Sequence, residues 1–420
     1  MKRFNNLLLF VSVWCGLLAI ALSTPAQTWT QTSAPSTNWV SVASSADGTK
    51  LVAANYTLFT PGAISATPIY VSTNSGATWL QAAVFDDAYF FDPFDFYWVA
   101  SSADGTKFIA ASSNGPFYIT TNWETIWTFT GPFSEGDYAG WQGLCYSADG
   151  NKLAVVAALT WIYTSPDSGT TWTAPAAPAG YGYATCVASS ADGTKLIAGT
   201  FYYDALYIST NSGTDWQPVY ATNEILWGAV ASSADGCKLV AAVYASNLQY
   251  SNGTWIYIVG PIYTSADSGK TWTLTSAPYM NWKSIASSAD GTKLVAAPEI
   301  GQIYTSTDSG ATWNVANVPN TNWSSVACSA DGSKLFAVAK GGGIWTSQTI
   351  PTPSMNITPT NGDLKLSWIV PSANFVLQQS LDLQNWADMT HQPVLNLTNL
   401  QDEAILSPQV KSVFYRLKTP

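Results

Sequence analysis

Val42-Ala43-Ser44-Ser45-Ala46-Asp47-Gly48-Thr49-Lys50-Leu51 is the stretch whose reading decides the fold. It recurs, intact or nearly so, seven times, with its aspartate at Asp47, Asp104, Asp149, Asp192, Asp235, Asp290 and Asp331. The steps between these are 57, 45, 43, 43, 55 and 41 residues, a period that marks a repeat architecture. Short runs of small and apolar residues flank an Asp-Gly pair, a strong hairpin signal because glycine accepts positive φ.

Each copy is followed by a second phrase, clearest at Ile303-Tyr304-Thr305-Ser306-Thr307-Asp308-Ser309-Gly310-Ala311-Thr312-Trp313. It returns around Asn74, Asp167, Asn211 and Asp267, and in degraded form at Asn122. The Asp or Asn can accept backbone hydrogen bonds in the turn, the Gly reverses the chain and the Trp packs at the exit. Two hairpins per unit make four short strands, and four strands at this period make a propeller blade. The last copy stops half a phrase short, after Ile344-Trp345-Thr346-Ser347. The missing half stands at the other end, where Thr28 to Trp39 matches Thr271 to Trp282 at nine of twelve positions. The expectation is an all-β chain: a seven-bladed β-propeller of four-stranded blades, closed by the N-terminal strand so that no open edge remains.

Lys2 and Arg3 precede an apolar run from Leu7 to Leu22 and then Ser23-Thr24-Pro25-Ala26. That is the pattern of a secretory signal peptide, so residues 1–26 are expected to be removed and the protein to be secreted, periplasmic or on the cell surface. No later segment could span a membrane. The propeller is assigned to 27–350. Pro351 and Pro353 mark a linker, and 351–420 alternates apolar and polar residues, as in Asp363-Leu364-Lys365-Leu366-Ser367-Trp368. This predicts a small β-sandwich module, similar to modules appended to secreted bacterial proteins.

Composition narrows the function. Charged residues are only 10% and aromatics 14%, which excludes a disordered chain. With 26 acidic against 16 basic residues the net charge is −10, a poor balance for neutralising phosphates, so no nucleic-acid partner is expected. The only arginines are Arg3 and Arg416 and the only histidine is His391, which has no partner motif. After removal of the signal peptide Cys145, Cys186, Cys237 and Cys328 remain. They fall at unrelated repeat positions and are expected to be free thiols. A monomer without a bound cofactor is expected.

Ser-x-Asp-x-Gly-x-Thr-Trp resembles the Asp-box of the BNR repeat superfamily, which includes sialidases, tandem-propeller xyloglucanases, sortilin-type receptors and photosystem assembly factors. The resemblance covers nearly the whole propeller and implies the fold. It also implies that Asn74, Asp167, Asn211, Asp267 and Asp308 are structural, because the box in those relatives is a hairpin away from the active face. Sialidase activity is not expected, since a substrate carboxylate calls for a planar arginine fork and the propeller has no arginine. The xyloglucanase comparison asks for two carboxylates across a cleft, but those relatives form that cleft between two propellers.

Both recurring turns should lie on one face of the disk, leaving the variable connections on the other, where function concentrates. The two longest steps place insertions in the first and fifth units. Phe85-Asp86-Asp87-Ala88-Tyr89-Phe90-Phe91-Asp92-Pro93-Phe94-Asp95-Phe96-Tyr97 combines carboxylates with aromatics, and Gln249 to Tyr257 forms a second cluster around Trp255. Glu135, Asp137, Tyr138, Tyr181, Tyr202, Tyr203, Asp204, Glu224 and Glu299 add to the face. Stacking rings and hydroxyl-binding carboxylates point to a glycan or surface polymer held by Tyr89, Phe91, Asp87, Asp92, Tyr138, Tyr203 and Trp255. Two alternatives stand beside it: a glycoside hydrolase using carboxylates among Asp86, Asp87, Asp92 and Asp95, and a scaffold that binds a surface protein. The bland reading is a satellite core of buried aromatics. The four aspartates also group oxygen ligands suited to Ca2+, at nonstandard spacing. Trp39, Trp98, Trp141, Tyr183, Trp227, Trp282 and Trp323 begin the first strands and read as packing between units.

Overall fold

A computed structural model describes residues 28–418, apart from 57–65, 87–96, 113–116, 122–126, 132–139, 158–161, 175–182, 202–204, 222–224, 252–253, 350–353, 361–362, 371–374, 391–392 and 408–412. All regular structure among the described residues is β-strand. The first unit is an antiparallel meander of Thr37–Ser44, Leu51–Tyr56, Ala66–Ser72 and Leu80–Asp86. Equivalent four-stranded meanders start at Tyr97–Ser101, Tyr183–Ser189 and Trp282–Ser287. The unit starting at Trp141–Tyr146 shows three strands, and an isolated bridge between Thr164 and Thr173 stands where a fourth would begin. In the fifth unit the second strand extends over Leu239–Ser251, and Thr254–Ile258 folds back on it as an added hairpin.

The chain ends meet as the split phrase requires. Trp29–Gln31 pairs with Ile344–Gln348, with Trp29 opposite Ser347, and supplies the outermost strand beside Thr321–Cys328 and Lys334–Gly342. Trp29 is buried in the core of that unit together with Val295, Ile303 and Trp323.

A second closure joins the turns. The amide of Ala46 donates to the carbonyl of Ala103, and the same bond runs from Ala103 to Ala148, Ala191, Ala234, Ala289 and Ala330 in turn. Ala330 then donates to Ala46, completing a cycle of seven. Lysines run in parallel outside it. Lys50 Nζ donates to the carbonyl of Asp104, Lys107 to Gly150, Lys152 to Asp192, Lys195 to Asp235, Lys293 to Asp331 and Lys334 to Asp47. Each lysine stem lies across the next turn's glycine. A Cβ on Gly48, whose φ is +65°, would sit 2.8 Å from the Lys334 stem. Glycine is therefore needed for both backbone sign and space.

Within each turn the aspartate accepts hydrogen bonds from the serine before it and the amide two residues on. Asp47 accepts from Ser45 Oγ at 2.6 Å and from Thr49 N and Oγ1. The second phrase closes similarly: Asp308 accepts from Thr312 N at 2.8 Å while Gly310 N donates to Ser306 Oγ. Asn74, Asp167, Asn211 and Asp267 accept the equivalent amides of Thr78, Thr171, Asp215 and Thr271. Ser75 N donates to Thr49 O and Ser309 N to Thr292 O, so the two kinds of turn adjoin on one face.

Second strands are the most buried, and all six residues of Leu51–Tyr56 are inside. The first-strand tryptophans pack between units: Trp39, Trp227 and Trp282 are wholly buried and Trp141 and Trp323 nearly so, whereas Tyr183 is exposed. Cys145, Cys186, Cys237 and Cys328 are free thiols. Burial pushes the thiols of Cys145 and Cys328 up to about 12 and that of Cys186 to about 11.

Beyond residue 353, Asn356–Thr360, Asp363–Ile369, Gln401–Leu406 and Val394–Asn396 form one sheet. Ala387–Asp388, Val376–Ser380 and Phe414–Lys418 form another. Leu366, Trp368, Leu377, Ala404 and Leu417 share a core drawn from both. One hairpin there imitates the second phrase of the repeats. Ser380 Oγ donates to Asp382 Oδ1, Asn385 N donates to the same oxygen, and Trp386 Nε1 donates to Leu383 O. Leu383 adopts φ +64°, as Ser309 adopts +58° in the repeat.

Candidate functional site

The insertion singled out in the sequence is described only at its edge. Asp86 ends strand Leu80–Asp86, with its backbone opposite Ala66. Asp87, Tyr89, Phe91, Asp92 and Asp95 lie outside the described residues, as do Tyr138, Tyr203 and His391. Trp255 pairs with Tyr250 in the added hairpin of the fifth unit. No group of three or more metal-binding side chains occurs among the described residues.

A different set of side chains does converge, at the ends of the inner strands on the face opposite the turns. The fifth residue after the leucine of each second strand, or after Phe108 in the second unit, is Tyr56, Ser113, Ala158, Phe201, Tyr244, Glu299 or Lys340 in sequence, and the residue after each first-strand aromatic is Val40, Val99, Gln142, Ala184, Gly228, Lys283 or Ser324. Adjacent units thus bring Tyr244, Lys283, Glu299, Lys340 and Tyr56 to one rim.

Tyr244 Oη donates to Glu299 Oε2 at 2.5 Å, a charge-assisted bond that fixes the carboxylate. Lys283 Nζ stands 5.8 Å from the centre of the Tyr244 ring, and Lys340 Nζ stands 5.4 Å from that of Tyr56. Both are cation–π distances. The backbone is tied beneath them. Asn281 Nδ2 donates to Tyr244 O, Glu299 N to Asn281 O, and Trp323 N to Glu299 O. Asn38 is paired with both Lys340 and Tyr56, which aligns those two across the join between last and first units.

Space beside Lys283 comes from its neighbour. A Cβ on Gly228, the equivalent position one unit earlier, would lie 2.2 Å from Trp282 O. Only glycine lets the two inner strands approach so closely, and it leaves the flank of Lys283 without a competing side chain.

The electrostatics match a mouth that is enclosed but wet. Lys283 is solvent-accessible, yet surrounding protein desolvates it and lowers its pKa, an effect that Lys340 reinforces and Glu299 opposes. Among the described residues neither ammonium has a hydrogen-bond or ion-pair partner. Asn55, buried below the rim, donates to Thr37 Oγ1 but leaves its own Oδ1 without a partner. Two under-used cations, a fixed carboxylate and the half-buried Tyr244 ring, with Tyr56 buried behind Lys340, form a surface for an anionic, partly aromatic or amide-bearing group.

Crevices elsewhere follow the repeat. One of about 180 Å³ is lined by Lys152, Thr164, Ser165, Gly193 and Ser212, and another of about 140 Å³ by Lys238, Thr264, Ser265, Gly291 and Ser309. These are the same repeat positions, two units apart, so they are products of blade packing.

Of the face residues read from the sequence, Glu299 belongs to this rim. Lys283 and Lys340 were missed. Their signal was subtractive: they are the lysines at inner-strand positions where other copies carry Val, Gln, Ala, Gly, Ser, Tyr or Phe.

No family model matches the chain, and no curated protein matches it. Solved structures do. A structure described as YCF48 bound to D1 peptide has a TM-score of 0.54 at 17% identity, covering 78% of this chain and 98% of that one. YCF48 from Cyanidioschyzon merolae has a TM-score of 0.55 at 14% identity, covering 76% and 98%. With its ring of meanders and these neighbours, the chain has a β-propeller fold.

Proposed function

We propose that the protein is a peptide-binding propeller scaffold whose ligand docks at the rim formed by Lys283, Lys340, Glu299, Tyr244 and Tyr56. The observation that carries this is the pair of ammonium groups that make no direct hydrogen bond or ion pair among the described residues, each beside a tyrosine ring, with Glu299 acting on Lys283 only at longer range. A neighbour of the same fold was solved with a peptide bound, which supports a protein ligand over a glycan. The lysines suit carboxylates of an acidic segment, Glu299 suits a backbone N–H or a cation, and the half-buried Tyr244 suits an aromatic or apolar side chain, while the buried Tyr56 backs Lys340.

The finer parts of the reading belong here too. We take the propeller as seven-bladed over 27–350, supported by the closed cycle of alanine amides and the strand supplied by Trp29–Gln31. Residues 351–420 are read as a β-sandwich, supported by the core shared between their two sheets. The Asp-box resemblance, and our reading of Asn74, Asp167, Asn211, Asp267 and Asp308 as structural, are supported by the turn hydrogen bonds those residues accept. Export through a signal peptide in 1–26 completes the proposal. The glycan, hydrolase and calcium readings rest chiefly on residues outside those described.

The test is a comparison of ligand classes. Acidic tyrosine-containing peptides should bind the protein more tightly than neutral or basic ones, and more tightly than neutral oligosaccharides. Oligosaccharide binding without peptide binding would overturn the proposal.

A further inference from the structure

The turn face presents a seven-membered ring of alanines, and it is covered. Ala46 and Ala330 cluster with Val370, alongside Ile369, Leu395 and Leu400. Ala148, Ala191 and Ala234 cluster with Leu397 and Leu400. Ala103 and Ala289 touch both groups. All seven turns of the ring therefore meet one apolar tip of the C-terminal module.

The size fits. Neighbouring strands joined by backbone hydrogen bonds lie about 4.8 Å apart. A ring of seven such steps has a backbone radius of about 5.5 Å, so its aperture matches a few aliphatic side chains. The ring amides and carbonyls are spent on one another, leaving the methyl groups as the contact surface. Aliphatic residues are the chemistry such a surface asks for.

A second observation points the same way. Leu400 adopts φ +53°, a left-handed conformation that Asn or Gly adopts readily and that leucine rarely does. Its carbonyl accepts from Val370 N at 3.0 Å, tying the hairpin turn to the end of strand Asp363–Ile369. Leu383 of the same module is also left-handed but exposed, so what sets Leu400 apart is its packing against both groups of ring alanines at a position where Asn would suit the backbone better. Sequence alone gave no hint of this, because Leu397-Thr398-Asn399-Leu400 reads as an ordinary turn.

We infer that the C-terminal module is a built-in stopper. Val370, Leu395, Leu397 and Leu400 seal the turn-face end of the propeller axis, opposite the lysine rim. The alanine ring is thereby closed to partners, and a ligand at the rim cannot thread through the axis. This does not depend on the ligand being a peptide.

A cysteine reporter under the stopper tests it in the full chain. In a Cys237→Thr background, which installs the residue found at Thr49 and Thr194, Ala234→Cys places a thiol on the ring. Cys15→Ser is added to that background; of the other native thiols Cys186 is buried, Cys145 and Cys328 are half-buried, and burial raises the pKa of all three. The reporter should react slowly with a polar maleimide. Leu397→Asn with Leu400→Asn removes the apolar contact while suiting the backbone, and should accelerate labelling at least tenfold. Leu383→Asn, at an exposed left-handed leucine of the same module, should leave labelling slow. A second reporter, Leu366→Cys in the module core, must stay unreactive in the paired variant. Should it react, Leu397→Asn alone carries the test. Fast labelling of the parent, or slow labelling after a replacement that leaves the module folded, would overturn the inference.

Discussion

The amide of Ala330 donates to the carbonyl of Ala46 at 2.6 Å, joining the last repeat turn to the first. Lys334 Nζ makes the same join from outside, donating to Asp47 O at 3.1 Å and to Ser75 Oγ at 3.0 Å. These contacts and the strand Trp29–Gln31 close one ring at three radii.

Closure by the N-terminal strand can be measured. Trp29→Ala should cost about 3 kcal/mol or more, the usual loss for a buried Trp, and deletion of Gln27 to Ser33 should cost more. Denaturant titration checks both. Unchanged stability after the deletion would contradict the pairing of Trp29 with Ser347.

The lysine belt gives a local prediction. Lys334→Met keeps most of the buried stem but strips the donor from Asp47 O and Ser75 Oγ. A loss of about 1–3 kcal/mol is expected, from leaving buried acceptors unsatisfied. The exposed Lys270 should tolerate the same change within about 0.5 kcal/mol.

Acid should loosen the ring. Burial pulls the carboxyls of Asp47, Asp104, Asp192 and Asp290 upward, but hydrogen bonds from serine and threonine and a lysine of the preceding unit outweigh it, leaving each below 3.8. Asp267, on the second kind of turn, is lowered to about 2 by hydrogen bonds from Thr271. A depressed carboxyl stabilises the fold above its unfolded value, and that stability is lost as pH falls through the folded value. Melting temperature should therefore hold steady down to about pH 4 and fall steeply below it. A melt insensitive to pH between 4 and 2 would contradict this.

Much of this was legible in the sequence because repetition amplifies weak signals. The Asp-Gly turns, the boxes and the split last unit each announced themselves by recurrence, and the tryptophans' burial followed from their recurring place at the head of the first strand in six units, the exception being the exposed Tyr183 of the fourth. The rim was harder to see for the same reason. Lys283 and Lys340 lie far apart in sequence, and only the ring brings each beside its tyrosine. The box-like turn at Asp382 escaped because it is one residue shorter and has leucine where the repeat has serine.

Lys283 should behave as a site residue in conflict with stability. Because its charged form is disfavoured, Lys283→Gln should leave the fold equally or more stable at pH 7 while weakening ligand binding. Replacing Lys340 by Gln removes a repelling charge and should raise the Lys283 pKa, slowing its acetylation at pH 8. Glu299→Gln should do the reverse. Mass-spectrometric acetylation rates at Lys283 read both variants.

Charge exchange at the rim tests the central claim most directly. Fluorescence anisotropy with an acidic tyrosine-containing peptide should show binding that weakens with salt. The Lys283→Glu and Lys340→Glu pair should lose at least about tenfold in affinity, roughly 1.4 kcal/mol, and gain affinity for the peptide with its acids changed to lysine. Equal binding of both peptides by the native protein and the charge-exchanged variant would contradict the rim as the docking site.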